Sequence, residues 1–393
     1  MKIAFIIGDA AISGGTYVIL QHALYLKQHA HDITIYYHTY NCKSWHEAFD
    51  HIKFHDIKQY NDKDMFDIAI ATWWQTVFNL EKIQAKRKCY FVQSIESFFE
   101  KDSNTEIKKS INSTYSINLP VITEATWIKD YLFKKYNTAA TIVRNGIRKD
   151  FYYPNTKSSY KNRILIEGPV HVDFKNVPRT IYLCKKHTNC ELWLLTSSDI
   201  KSFHGVSKIF SRVPASETGD IYRECDFIVK LSYVEGMFAP PLEMFHCGGT
   251  AIVYNVTGYD EYMINNENSL IVKEGDELSV INALKKLEND HEFLEKLKNN
   301  ALKTASCWPD WNESSKHFEA ALLNIPEVMI DFKNLYPIPS PKKQSICLKI
   351  YSKIKQFIQK HGRNIIYQYI YTHMPNRGKK DKGHIKEVTV YET

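Results

Sequence analysis

The residues with most chemical promise lie between positions 232 and 250 of the 393-residue chain. Glu235-Gly236-Met237-Phe238-Ala239-Pro240-Pro241-Leu242-Glu243 follows a strand-like apolar run that ends at Leu231-Ser232. The two prolines suit the first turn of a helix. Glu235 then precedes that helix, and Glu243 falls within its first turn. Backbone N–H groups left free at a helix start attract an anion such as phosphate. Carboxylates beside them accept hydrogen bonds from hydroxyls. Phosphate together with hydroxyls of a sugar and a ribose describes a nucleotide sugar. The same acids also suit a helix in which they merely complement the dipole.

Positioning such a loop requires strands that end at a common edge. Strand-length apolar runs at 3–7, 33–37, 66–71, 89–92 and 121–122 alternate with helical spacing at 16–29 and 124–135. After a polar break at 154–159, the alternation restarts with strands at 163–167, 191–195, 208–210, 227–231, 251–254 and 269–272. Helices are expected at 177–187, 240–247, 277–287 and 291–305. Such βαβ alternation gives parallel sheets covered on both faces. The expected fold is therefore α/β, with two Rossmann-like, doubly wound domains facing across a cleft: residues 1–155 on the acceptor side and 156–335 binding the nucleotide sugar. Ligands of such sheets sit beyond the carboxyl ends of the strands.

Other motifs carry less. Gly14 and Gly15 in Gly8-Asp9-Ala10-Ala11-Ile12-Ser13-Gly14-Gly15-Thr16 open a helix, but tight βα turns favour glycine in any protein. The loop lacks the G-x-G-x-x-G spacing of a dinucleotide site. Asp62-Lys63-Asp64 is formally a metal–diphosphate triplet, yet it sits among other charges, far from the 235–243 loop, and reads as a solvated turn. Sixteen histidines show no metal-ligand spacing, and eight cysteines form no CxxC pair, as suits a reducing compartment. Trp73-Trp74 suits core or hinge packing, with stacking on an acceptor sugar as the alternative.

Glu235 and Glu243, with Ser232 before them and His246-Cys247-Gly248-Gly249-Thr250 after, resemble the donor motif of retaining group-1 glycosyltransferases of the GT-B fold. Residues 255–261 and 265–272 resemble the segments that follow it, and Ile142-Val143-Arg144-Asn145-Gly146-Ile147 resembles the family's interdomain segment. Residues 88–99 are similar to members that build bacterial surface polysaccharides, rhamnosyl transferases included. The resemblance spans roughly residues 1–325. It implies that Glu235 meets donor-sugar hydroxyls, that the backbone of Gly236, Met237 and Phe238 meets sugar and phosphate, and that Glu243 holds the ribose. Ser232 belongs to the same donor set. Gly14 and Gly15 are expected over the donor phosphates, and Lys175 is expected to neutralise the diphosphate, sharing the catalytic role with Glu235. Where the family carries an arginine after the strand-ending glycine, here Gly168, this chain has Pro169. Arg179, one helical turn beyond Lys175, is the candidate replacement.

The resemblance implies transfer of a hexose or deoxyhexose from a nucleoside diphosphate to a glycan or lipid-linked acceptor. The expected outcome is retention of configuration, with no cofactor and no metal. A nucleotide-sugar epimerase of the same fold and a nucleotide-sugar-binding protein with little activity are the rival readings. The net charge of +7 resides in the tail: residues 337–393 hold twelve basic and three acidic residues, leaving the rest of the chain at −2. A nucleic-acid partner is therefore not expected. No apolar run reaches the ~18–20 residues of a membrane helix, and the first is too short for a secretory signal. A cytoplasmic protein is expected. Within the tail, residues 336–393, Ile346, Ile350, Ile354 and Phe357 mark one face of a lysine-rich amphipathic helix. Such a helix suits peripheral contact with an anionic membrane, and equally a solvated helix packed on the body.

Overall fold

The computed structural model describes residues 1–40, 45–155 and 160–339. The amphipathic stretch expected in the tail lies outside the described residues, as do positions 156–159 of the polar break. Thirteen strands are described: β1 (Lys2–Asp9), β2 (Asp32–Thr39), β3 (Lys53–Asp56), β4 (Phe66–Ala71), β5 (Ala85–Val92), β6 (Val121–Thr123), β7 (Ala140–Ile142), β8 (Arg163–Glu167), β9 (Glu191–Thr196), β10 (Lys208–Ser211), β11 (Phe227–Lys230), β12 (Thr250–Tyr254) and β13 (Leu270–Val272). They form a seven-stranded sheet, ordered β3-β2-β1-β4-β5-β6-β7, and a six-stranded sheet, ordered β10-β9-β8-β11-β12-β13. Every pairing is parallel.

Two-residue periodicity explains how each sheet is covered. In β1, Ile3, Phe5 and Ile7 enter one core while Ala4 and Ile6 enter another on the opposite face. In β8, Ile164 and Ile166 point to one face and Leu165 to the other. Both sheets thus bury apolar side chains on two sides, as parallel sheets must. The short edge strands β3 and β7 carry alternating, partly exposed residues. Neither offers a continuous apolar run, which is why the sequence did not mark them.

The chain crosses between domains twice, and the crossings run side by side. Ile147 N–H donates to the Pro309 carbonyl at 3.1 Å. Trp308 Nε1–H donates to the Asn145 carbonyl at 2.9 Å, and Ser314 Oγ–H donates to the Arg144 carbonyl at 2.6 Å. At Gly146, a Cβ would lie 2.4 Å from the Asp310 carbonyl carbon. Close backbone approach, rather than backbone conformation, therefore requires this glycine.

After the second crossing the helix Trp311–Leu323 returns to the first domain. The division at 156–335 assigned it to the second. Its apolar side decides otherwise: Trp311, Phe318 and Leu322 join the core formed by β1 and the helix Gly14–Gln28. Phe318 is fully buried, stacked on His22 at 4.2 Å and edge-on to Phe91 at 5.2 Å. Enclosure among these rings drives the His22 imidazole down to about 3, because burial disfavours its charged form. Phe318→Ala should leave a cavity in the first domain and cost about 3–5 kcal/mol, read as a lowered urea midpoint. A loss under about 1 kcal/mol would show that the helix is peripheral to that core.

Candidate active site

Between the carboxyl ends of the two sheets lies a cleft of about 1570 Å³. Its walls include Gly14, Gly15, Gln93 and Glu124 from the first domain, and Lys175, Lys230, Glu235 and Glu243 from the second. The loop after β11 is fixed at both ends. Tyr233 N–H donates to the Phe174 carbonyl at 2.8 Å. Glu235 N–H donates to Thr257 Oγ1 at 3.2 Å, and the Thr257 hydroxyl donates back to the Glu235 carbonyl at 2.7 Å. Glu235 thereby becomes a rigidly mounted side chain.

Its carboxylate is paired. Lys175 Nζ donates to Glu235 Oε2 at 2.7 Å, while Lys230 Nζ stands 3.7 Å from Oε1. Burial resists ionisation of Glu235, but the charges of Lys175 and Lys230 outweigh it and hold the carboxyl below its ordinary range. Lys175 arrives from a short turn, Asp173–Lys175. The following Asn176 takes a left-handed conformation, and its Nδ2–H bonds the Leu231 carbonyl at 3.0 Å. The Phe-Lys-Asn sequence thus ties the turn to the loop after β11.

Glu243 behaves differently. Burial raises its carboxyl to about 7, only partly relieved by the hydroxyls of Tyr222 and Tyr152. Two carboxyls in one cleft therefore differ in charge near neutrality. Phe238 is left-handed at φ 62° and opens the helix Ala239–His246. Its carbonyl accepts the Tyr262 hydroxyl at 2.5 Å. Pro240 and Pro241 remove two of the N–H groups expected at this helix start. Met237 N–H is also engaged, donating to Glu124 Oε1 at 3.1 Å. The anion-binding capacity of this helix start is thus smaller than the sequence suggested, and more of it falls to side chains.

The structure brings Glu235, Lys175, Gly14, Gly15, Gly236, Met237, Phe238 and Glu243 onto one cleft. Ser232 is fully buried and is absent from the cleft wall. Arg179 corrects the sequence reading. Its guanidinium forms a fork with Glu277, Nε to Oε1 at 2.6 Å and Nη2 to Oε2 at 2.7 Å. One helical turn beyond Lys175, it faces the helix Glu277–Asn289 rather than the cleft, so it does not replace the arginine absent at Pro169. Asp62 and Asp64 lie before β4, at the strand end opposite the cleft, with Asp64 3.5 Å from Lys2 Nζ. Trp74 is buried, whereas Trp73 lines the cleft and stacks on Phe99 at 6.4 Å.

Sequence reading missed Glu124 and Lys230. Glu124 immediately follows β6, inside what reads as the start of a helix. Its carboxylate joins Asn145 Nδ2, at 2.8 Å, to the Met237 amide of the other domain. A Cβ on Gly236 would meet the Gln93 carbonyl at 2.5 Å and Glu124 Oε1 at 2.7 Å. Trp127 Nε1–H donates to the Gly236 carbonyl at 2.9 Å. The glycine of the Glu-Gly-Met-Phe loop is thus one of the points where the two domains touch. Lys230 is hidden by its position inside an apolar strand. A lone lysine there signals a buried partner, which is Glu167 Oε2 at 2.6 Å.

Residues 204–304 match the family described as glycosyl transferases group 1. No curated protein matches the chain in sequence. Solved structures do resemble it in fold. Sucrose-phosphate synthase from Thermosynechococcus elongatus has a TM-score of 0.70 at 13% identity, covering 82% of this chain and 98% of its own. HepE from Anabaena, in complex with UDP-glucose, has a TM-score of 0.67 at 12% identity, covering 82% and 99%. WaaG, a glycosyltransferase involved in lipopolysaccharide biosynthesis, has a TM-score of 0.64 at 14% identity over the same shares. The fold is therefore GT-B: two Rossmann-like domains facing across a cleft.

Burial raises Glu124 from the ordinary carboxylate range to about 7, with the Asn145 and Met237 hydrogen bonds opposing the rise. Between roughly pH 4.5 and 7 the folded chain therefore holds a proton here that the unfolded chain has released. This group's contribution to stability falls as pH rises through that window. Glu124→Gln removes the titration, so its urea midpoint should gain on wild type from pH 5 to pH 8. The opposing effects of buried His22, His46 and His246 cancel in that difference. A midpoint difference that is flat, or falls, contradicts the assigned ionisation.

Proposed function

We propose that this chain transfers a sugar from a nucleoside diphosphate donor to a glycan or lipid-linked acceptor. The carrying observation is the Lys175–Glu235 ion pair at the cleft wall, with Glu235 inside the segment that matches the group-1 family. A buried ion pair is poor value for stability alone, yet each partner suits one half of a nucleotide sugar. The lysine complements a diphosphate, and the carboxylate accepts from sugar hydroxyls. HepE, similar in fold, is known in complex with UDP-glucose and with UDP plus glucose, which supports this donor class.

The proposed chemistry is displacement at the anomeric carbon. An acceptor hydroxyl oxygen forms the new bond to that carbon as the bond to the diphosphate oxygen breaks. The acceptor's proton passes to a departing phosphate oxygen, and the configuration is retained. Negative charge grows on the leaving group, and a preorganised cation lowers the barrier by stabilising that growth. Lys175 meets this need. Glu243, only partly ionised near pH 7 when the cleft is empty, would ionise further on accepting ribose hydroxyls. The reaction needs no metal in this scheme, since side chains supply the positive charge. Trp73 and Phe99 offer an aromatic surface on the acceptor side. The basic tail supports action at an anionic membrane face.

Among the described residues no helix is long and apolar enough to cross a membrane. Replacing Glu235 by Ala should cut turnover about 10²-fold while circular dichroism stays unchanged, and wild-type turnover should survive EDTA. A folded Glu235→Ala protein working at the wild-type rate sinks the donor assignment. Loss of activity in EDTA, restored by Mn²⁺, sinks the metal-free scheme.

A further inference from the structure

Behind the Lys175–Glu235 pair sits a cation with no role in the scheme above. Lys230 is the last residue of β11, and its side chain is 1% exposed. Its Nζ donates to the Glu167 carboxylate at 2.6 Å and lies 3.2 Å from the Glu167 carbonyl. A Cβ on Gly168 would stand 3.7 Å from this ammonium. The charge therefore occupies the strand end beside Gly168-Pro169, where the chain has proline. It arrives from the neighbouring strand instead.

Glu167 already neutralises Lys230, so a closed structural pair would need nothing else. The ammonium nevertheless also faces Glu235. Glu235 Oε1 is buried, makes no hydrogen bond and lies 3.7 Å from Nζ. The other oxygen is held by Lys175, whose side chain is 22% exposed against 7% for Glu235. Lys175 is the partner that can leave. The groups facing this pair are Lys175 from its turn, Ser232 from the loop after β11, Glu167 from β8, Glu243 from the helix Ala239–His246, and Tyr262.

We propose that Lys230 is a positioning residue: the fixed, buried cation that keeps Glu235 ionised and aimed when Lys175 turns to the donor diphosphate. The proposal rests on the donor-site reading above. A diphosphate competes with Glu235 for Lys175. Once Lys175 has moved, Glu235 is a buried carboxylate short of a partner, and burial drives such a group to take up a proton. Protonated, it has lost its charge and much of its strength as an acceptor for sugar hydroxyls. Lys230 prevents this by closing from 3.7 Å onto Oε1. It is then shared between Glu167 and Glu235, and the site keeps one cation on the phosphates and one on the acids.

The test removes Lys230 together with Glu167, because deleting both partners leaves no orphaned charge from that pair. In Glu167→Val/Lys230→Leu, calorimetry with UDP, GDP and dTDP should show nucleoside diphosphate binding within about 3-fold of wild type, because Lys175 remains. Turnover of the sugar nucleotide that the wild type uses should fall at least ~10-fold at pH 7. The acid limb of kcat should move up by about one pH unit, as Glu235 protonates more readily. A pair that only fills the core shifts the melting temperature and leaves that limb in place. Glu167→Gln provides the opposite arm: Lys230 loses its nearest carboxylate and is left to Glu235, with Glu243 the weaker neighbour, and the acid limb should move down. A folded double variant with wild-type turnover and an unmoved limb overturns the role. So does a Glu167→Gln limb that moves up or stays. A wild-type protein that binds none of the three nucleotides defeats the donor reading first, and this role with it.

Discussion

Two lysines and two glutamates converge where β8 and β11 end, and the second domain must fold around their charges. Lys175, Lys230, Glu167 and Glu235 carry no net charge as a group, which makes their burial tolerable. The same arrangement limits each member. Lys230 is the most dependent member, since its side chain is 1% exposed and Glu167 is its nearest carboxylate, whereas Lys175 is 22% exposed and can turn to another anion. The cluster also fixes the loop after β11, because a carboxylate held by two ammonium groups cannot drift. Rigid mounting of this kind is what a charged substrate requires, since stabilisation of developing charge depends on groups already in place.

Close backbone approach at two glycines lets side chains of one domain reach the main chain of the other. Gly236 admits the Gln93 carbonyl and the Glu124 carboxylate, Trp127 caps its carbonyl, and Gly146 allows the two crossings to run in contact. Each feature needs a missing Cβ at one position. The helix Trp311–Leu323 then seals the second crossing by burying Phe318 in the first domain's core. The crossing at Gly146 is tied as well by Trp308 and Ser314.

Much of this was legible in the sequence, for identifiable reasons. Apolar runs buried on both faces mark parallel strands, so β1, β4, β8 and β11 stood out, and the helix expected at 177–187 is found at Val177–His187. That Glu235 and Glu243 face the cleft was legible because they flank a helix start after a strand end, and Lys175 was marked by the resemblance to the family's lysine. What failed depended on three-dimensional pairing. Arg179 looked available by spacing, but spacing does not reveal that Glu277, 98 positions away, takes its guanidinium. Lys230 and Glu124 were concealed by apolar neighbours, which speak for burial and not for partners. The return of residues 311–323 to the first domain left no mark on composition at all.

We propose the Lys175–Glu235 pair as the empty-site form of a donor site, with the lysine destined for phosphate and the carboxylate for sugar. A crystal structure of the full chain with a bound nucleoside diphosphate tests it most directly. The claim requires Lys175 Nζ to leave its 2.7 Å contact with Glu235 and lie within hydrogen-bond distance of a phosphate oxygen, with the ribose at Glu243. A nucleotide seated elsewhere, or seated in the cleft with the Lys175–Glu235 bond intact, contradicts it.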